Sequence, residues 1–581
     1  MAGSCKNRIF PKAWAEKWRL EMKFSEFPYE RVDFEKVEQE MKGLMEEFEQ
    51  ARDGEEQFAV HQKFYALNDR VTTLYTIANI RFDIDTSDTF YEGEKKYYDE
   101  KMPFYSNMVL AYQKKLYYSP FRAELEKKIG PVAFKNMEIA QKAMDEKIIP
   151  LMQEENNLTT EYDKLIASAK IPFDGKELNL SLLRPYLVNQ DRNVRREAWK
   201  VFSRFFRENA DKLDEIYDKL VKNRTEQARK LGYENYLELG YYRMGRNCYG
   251  KAEVEAYRAQ VKKDFVPFAE KLHEQRRKRL VLDKLSYMDI EVYFKEGNPA
   301  PFGTPEEILE AGRKMYSELS PETKEFYEFM MEGELFDVLG RKTKRAGGYM
   351  TYMPLYNAPF VFANFNGTSG DVDVITHECG HAFQGYLSGK DPIREHADIG
   401  METAEIHSMS MEFFTQNWMP LFFGERAQDY IEMHLEDSAA FIPYGCMVDE
   451  FQHIVYENPD MTPAERHAAW LKLEKEYRPH MDYEDDAFFA KGGFWQRQAH
   501  IYDNPLYYID YCLAQTCALQ YKVKMDENYG EAWKSYLKLC KLSASDFFTN
   551  MIKEVGLDSP FEEGCMKNIV EKLEKYVKTL A

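Results

Sequence analysis

The chain has 581 residues, 44% hydrophobic and 31% charged, which supplies a large core and excludes a disordered chain. Its length allows roughly four domains, or fewer if one large helical body forms. A formal net charge of −20 repels phosphate backbones, so nucleic acid is excluded as a partner class and neutral or basic substrates are favoured.

Other bulk features narrow the class further. Aromatic residues reach 15%, with 40 Tyr and 39 Phe, which suits a deep cleft of mixed apolar and polar contacts. Eight cysteines, from Cys5 to Cys565, form no CxxC pair and read as reduced, mostly buried thiols of a cytoplasmic protein. The opening MAGSCKNRIFPKAWAEKW has no apolar h-region, so no secretory signal is expected. No run approaches the length needed to span a membrane.

Apolar residues recur at three and four spacing over 34–52, 56–80, 90–116, 131–169, 192–230 and 251–282, predicting long helices. The fold class is therefore mainly α. A first break, KIPFDGKELNL from 170, precedes a helix that the Asn189–Asp191 stretch can cap. It suggests an N-terminal helical region over 1–190 and a second region over 191–581. KEGNPAPFGTPEE, 295–307, is a second break and a candidate hinge. RAGGYMTYMPLYNAPFVFANFNGTSGDVDV, 345–374, is the one strongly strand-like stretch. Pro354 and Pro359 argue for exposed edge strands there.

THECGHAFQ follows, within a helical stretch DVITHECGHAFQGYL. On a helix His377 and His381 share one face, with Cβ atoms about 5–6 Å apart. Two nitrogens on a tetrahedral zinc lie roughly 3.3 Å from each other, which i and i+4 imidazoles reach without strain. Glu378 is turned away from the metal but within reach of a water upon it. Cys379 points off the metal face. Gly380 has no side chain and lets another segment come close.

A catalytic zinc needs a third protein ligand and one open position. The longer pattern ending in a third histidine is absent, since Gln384 and Leu387 stand at its glycine and histidine positions. His396, Glu402, Glu405, His407 and Glu412 lie downstream, and GMETAEIHSMSMEFF, 400–414, reads as a helix. Spacing alone does not separate Glu402 from Glu405, and His396 is the main rival.

HECGHAFQ, with the glutamate of AEIHSMSMEFF 24 residues after its second histidine, resembles the M3 family of metallopeptidases, most of all its oligoendopeptidase F branch. FVFANFNGTSGDVDVITHECGH and HIYDNPLYYIDYCLAQTCALQ share the resemblance, which spans about 180–560. It implies one zinc per chain on His377, His381 and Glu405, with Glu378 as catalytic base. It also implies a two-lobed helical body around a deep channel that admits short peptides, with the one small sheet beside the motif helix. The acid four residues beyond the third ligand in thermolysin-like enzymes is Met409 here. The outer carboxylate is then expected from Glu402 or Asp373.

WQRQAHIYDNPLYYIDY, 495–511, resembles the family's histidine- and tyrosine-bearing segment, which faces the zinc. Its spacing departs by about one residue. His500, Tyr508 and Tyr511 are the expected catalytic donors, with Tyr502 and Tyr507 at the substrate. FVFANF, 360–365, is read as an exposed edge that pairs with extended peptide through Phe362, Ala363 and Asn364, aided by Gly347 and Gly348. The expected activity is that of an endopeptidase. Its rivals are a carboxypeptidase or dipeptidyl carboxypeptidase, which needs a basic clamp such as Arg345 or Arg497, and a non-catalytic peptide-binding scaffold.

Overall fold

A computed structural model describes residues 22–580 apart from 342 and 346; the opening segment read for a signal, and Cys5 within it, lie outside them. The body is mainly α, and the expected helices are present with added breaks. The 131–169 stretch divides into Pro131–Ala143 and Ile149–Ala167, with Asp145 capping the turn between them. The 192–230 stretch divides at Asn209 into Arg192–Glu208 and Ala210–Leu231. Asp191 caps the first of these through the Asn193 amide, which locates the helix start. No helix among the described residues is long and apolar enough to cross a membrane.

Two hydrophobic cores form. The smaller gathers Val37, Met41, Phe64, Tyr98, Tyr112 and Phe134 from helices within 32–137, and the larger takes in the rest of the chain. One loop of the larger body, 391–398, is clamped against the smaller. Glu395 receives His61 Nε2 at 2.8 Å and the Tyr65 hydroxyl. Arg394 Nε reaches Asp69 Oδ2 at 3.1 Å, and His396 Nε2 reaches Ile129 O at 3.1 Å.

The break at 170 is a hairpin of β1 (Ile171–Phe173) and β2 (Lys176–Leu178). A three-stranded sheet combines β3 (Phe336–Leu339), β4 (Tyr349–Met353) and β5 (Ala358–Phe365) in the order β3-β5-β4. The FVFANF strand is thus central rather than an edge, with β3 parallel on one side and β4 antiparallel on the other. The reading missed β3, a four-residue strand in GELFDVLG too short to show a period. Pro359 is tolerated because it pairs with Tyr352 of β4 before β3 joins at Val361. Buried Lys344 closes the irregular end of the sheet, donating to Leu339 O at 3.0 Å, Asp337 O at 2.9 Å and Ala363 O. From β5 the chain turns directly into the helix that carries the histidines. Asp371 accepts the Asn366 and Gly367 amides there at 2.9 and 2.8 Å.

Candidate active site

His377, Glu378 and His381 lie on the helix Gly370–Ser388, and Glu405 on the helix Met401–Phe414. The two helices touch at Gly380. A Cβ there would meet His407 O at 2.6 Å and Ser408 Cα at 2.7 Å, so only glycine permits this approach. The contact brings Glu405 Oε2 to 3.4 Å from His377 Nε2 and 3.5 Å from His381 Nε2. Both values match the roughly 3.3 Å edge of a tetrahedron of ligands around zinc. The two imidazole rings stand 5.0 Å apart at 83°. Burial alone would raise the Glu405 pKa, but the two histidines hold it well below the usual carboxylate range. Ser408 Oγ donates to Oε2 at 2.9 Å and the Tyr507 hydroxyl to Oε1 at 3.2 Å, fixing the carboxylate.

A second group of metal-binding types, Glu270, His273 and His480, is also close-set. Arg276 Nη2 donates to His273 Nδ1 at 2.6 Å. A neutral imidazole with that nitrogen accepting carries its proton on Nε2 and has no lone pair for a metal. The donor chemistry therefore suits a metal at the first group and not at the second.

Neither Glu402 nor Asp373, the expected outer carboxylates, hydrogen-bonds to His377 or His381 among the described contacts. Glu402 is buried away from both histidines, and burial with nearby Asp510 pushes its pKa up to about 8. Asp373 accepts the Tyr430 hydroxyl at 2.6 Å. The carboxylate behind His377 is Glu412, whose Oε1 lies 2.6 Å from His377 Nδ1 and whose Oε2 lies 2.6 Å from His434 Nε2. Burial opposes its charge, but His377 and His434 outweigh that and hold its pKa at about 2. Glu412 follows Glu405 by two helical turns and so shares its face, a spacing visible in the sequence but set aside there for an i+4 rule. With Nδ1 donating to Glu412, a neutral His377 would keep its Nε2 lone pair for a metal. His396, the rival third ligand, belongs to the inter-core clamp. His407 is fully buried, where burial lowers its pKa to about 3, and Cys379 packs in the core.

Glu378 is half-buried, and no described residue hydrogen-bonds to it. Tyr511 faces this region. Burial first, then the Glu405 charge and more weakly that of Glu378, push its phenol pKa up to about 12, which keeps it a donor. Tyr507 and Tyr511 rings lie 4.6 Å apart, and His500 lies 5.9 Å from Tyr507 and 4.9 Å from Tyr508. Gln498 Nε2 donates to His500 Nδ1 at 3.0 Å, and burial lowers the His500 pKa, so a neutral ring keeps an Nε2–H to give. Tyr508 turns instead to Phe441 and Tyr444, 5.7 and 5.9 Å away. Tyr507, rather than Tyr508, is the residue of the segment that meets a ligand carboxylate.

The cause is a backbone reversal. Leu506 has φ +69°, rare for a branched side chain. Its N–H donates to Gln452 Oε1 at 2.9 Å, and its carbonyl accepts from buried Arg246, which also meets Asp510 Oδ1 at 3.1 Å. Tyr502 is fully buried and stacks on Tyr162 at 4.0 Å, a core position and not a substrate contact.

The sheet residues are likewise committed to structure. Phe362 and Ala363 are buried, and Asn364 Nδ2 donates to Arg345 O and Gly347 O at 2.9 Å each. Gly348 lies against Phe362 O. The unpaired edge near the site is β4, on the far side from β3.

Residues 24–144 match the Peptidase M3 N-terminal domain, and 186–571 match Peptidase family M3. Oligopeptidase PepF of Bacillus subtilis is 23% identical over 555 residues, covering 88% of this chain and 79% of its own. The solved structure of Pz peptidase A with an inhibitor is 47% identical, with a TM-score of 0.90 over 96% of this chain and 99% of that one. A Bacillus anthracis structure assigned as an oligoendopeptidase F is 41% identical, with a TM-score of 0.85 over 96% and 98%. The converging histidines and carboxylate thus sit within a matched family domain: the chain is a metallopeptidase of family M3, in its oligoendopeptidase F branch.

Proposed function

We propose that the protein is a zinc-dependent endopeptidase of short oligopeptides, with the metal on His377, His381 and Glu405 and with Glu378 as general base. The observation that carries this is the approach of Glu405 Oε2 to both Nε2 atoms at 3.4 and 3.5 Å. Zinc in such a site supplies Lewis acidity, lowering the pKa of water towards about 7.

The rest is chemistry of the chain itself. Glu378, with no hydrogen-bond partner among the described residues, takes a proton from the attacking water and returns it to the leaving amine. Glu412 fixes the His377 tautomer, and Ser408 and Tyr507 fix Glu405. Tyr511 and His500 keep their protons at neutral pH and stabilise the carbonyl oxygen as it gains charge; one such donor is worth about 3 kcal/mol. The β4 edge, not β5, offers backbone groups to an extended peptide, so sequence preference is weak. The names of the relatives, oligopeptidase and oligoendopeptidase, support the substrate class. The catalytic region is assigned to 191–581 and the bracing helical region to 1–190. Seven free cysteines among the described residues, six of them buried, support a reducing cytoplasm.

An internally quenched peptide blocked at both ends tests this reading. The wild type carries one equivalent of zinc and cleaves the peptide, and chelator abolishes cleavage reversibly. Glu378→Gln keeps the zinc and loses at least a hundredfold in kcat. Chelator-insensitive cleavage, or a fully active Glu378→Gln enzyme, rejects the mechanism, and cleavage only of free-ended peptides rejects the endopeptidase.

A further inference from the structure

Arg497 stands out among the cations near the site. It is half-buried, three residues before His500, and no hydrogen bond or ion pair among the described residues reaches its guanidinium. Its Nε is fully buried without a partner. The group lies 4.1 Å from the Phe494 ring centre and 6.0 Å from that of Tyr444. The nearby acid, Glu474, is occupied by the Tyr483 hydroxyl at 2.7 Å and Arg478 at 3.4 Å. A guanidinium held among aromatic rings without an anion is costly unless a ligand supplies one.

Its separation from His434, which holds the Glu412 partner of His377, is gauged along one helix. On Ala427–Glu457, His434, Asp437, Phe441 and Tyr444 recur at spacings of three, four and three; Asp437 is exposed and the others are partly exposed, between mostly buried neighbours. This stripe is the less buried face of the helix. At one end His434 holds Glu412, the partner of His377. At the other Tyr444 stands beside Arg497, and its hydroxyl donates to Gln498 Oε1 at 2.8 Å. Half-exposed His500, Tyr507, Tyr508 and Tyr511 line the same wall between these ends. Ten helical positions span about 15 Å. An extended peptide covers that distance in about four to five residues.

We infer that Arg497 is a specificity residue that receives a carboxylate of the peptide substrate, either its C-terminus or an acidic side chain, about four to five residues from the cleaved bond. In a chain of net charge −20, a half-buried cation with no partner among the described residues selects an acid locally. The inference rests on the peptidase reading above and gives it a length and charge preference.

Matched peptides test it. One set carries a free or amidated C-terminus two to seven residues beyond the cleaved bond, and an amidated set carries Glu or Gln at the same distances. Wild-type kcat/KM is expected to favour the carboxylate member about tenfold at four to five residues. Preference in the first set alone identifies the C-terminus, and preference in the second identifies an acidic side chain. Arg497→Met brings the ratio to near one, while Arg497→Lys keeps part of it. The Glu378→Gln variant, inactive under the proposed mechanism, reads the same discrimination as peptide affinity. Ratios within twofold at every length in the wild type, or a preference that survives Arg497→Met, overturn the inference. Failure to cleave any of these peptides in a chelator-sensitive way sinks the peptidase reading instead, and the binding ratio still decides the role of Arg497.

Discussion

At the scale of single residues, the site is set by who holds each ligand. His377 has a carboxylate on both nitrogens, Glu405 at Nε2 and Glu412 at Nδ1, and their combined pull keeps its pKa well above the usual histidine value despite burial. With a metal on His377, as proposed above, Glu412 would orient the ring and raise its basicity. Glu412→Gln is therefore expected to weaken zinc affinity about 10–100-fold while the fold persists, measured by competition against a chromophoric chelator. Unchanged affinity would show that His377 is oriented by packing alone. Gly380 acts by absence: any side chain there pushes the ligand helix off by its backbone, which no rotamer change relieves.

At the scale of elements, buried ion pairs tie separate helices to the catalytic wall. Glu155 on Ile149–Ala167 meets Arg224 Nε at 2.6 Å and Arg243 at 3.2 Å, and fully buried Arg224 continues to the Tyr456 hydroxyl at 3.0 Å and to Tyr502 O. Burial opposes the Glu155 charge, but Arg224 and Arg243 outweigh it and lower its pKa below the usual carboxylate value. A depressed folded pKa gives stability that is complete above about pH 4.5 and is lost as pH falls through the folded value. Glu155→Gln should cost about 3 kcal/mol at neutral pH, because Arg224 stays buried without its anion. Urea unfolding of both proteins at pH 7 and pH 4 checks the sign: the gap narrows in acid. A gap that widens would refute the assignment.

At the scale of the whole molecule, the loop 391–398 joins the two ligand helices and is gripped by the smaller core. Glu395 partners His61, which is only 1% exposed, and Tyr65. Glu395→Ala leaves these buried polar groups unsatisfied, at about 1–3 kcal/mol. Hydrogen exchange of 391–398 should rise, and zinc should dissociate faster, because both ligand helices lose their shared tether. Faster exchange with unchanged zinc release would confine the clamp to stability.

The sequence by itself determined the family and the class of fold, and it located the candidate ligands. Ligands four apart on one helix, a glycine where a second helix must cross, and long stretches of helical period are local patterns, legible because helical geometry repeats every few residues. What it left open were choices between near neighbours in space. Glu412 over Glu402 as the outer acid, Tyr507 over Tyr508 at the ligand carboxylate, and β4 over β5 as the free edge were decided by tertiary contacts. Each depends on an element distant in sequence: His434 for Glu412, Arg246 turning Leu506 for Tyr507, and the short β3 covering β5. Periodicity fixes which face a residue occupies; only packing fixes what that face meets.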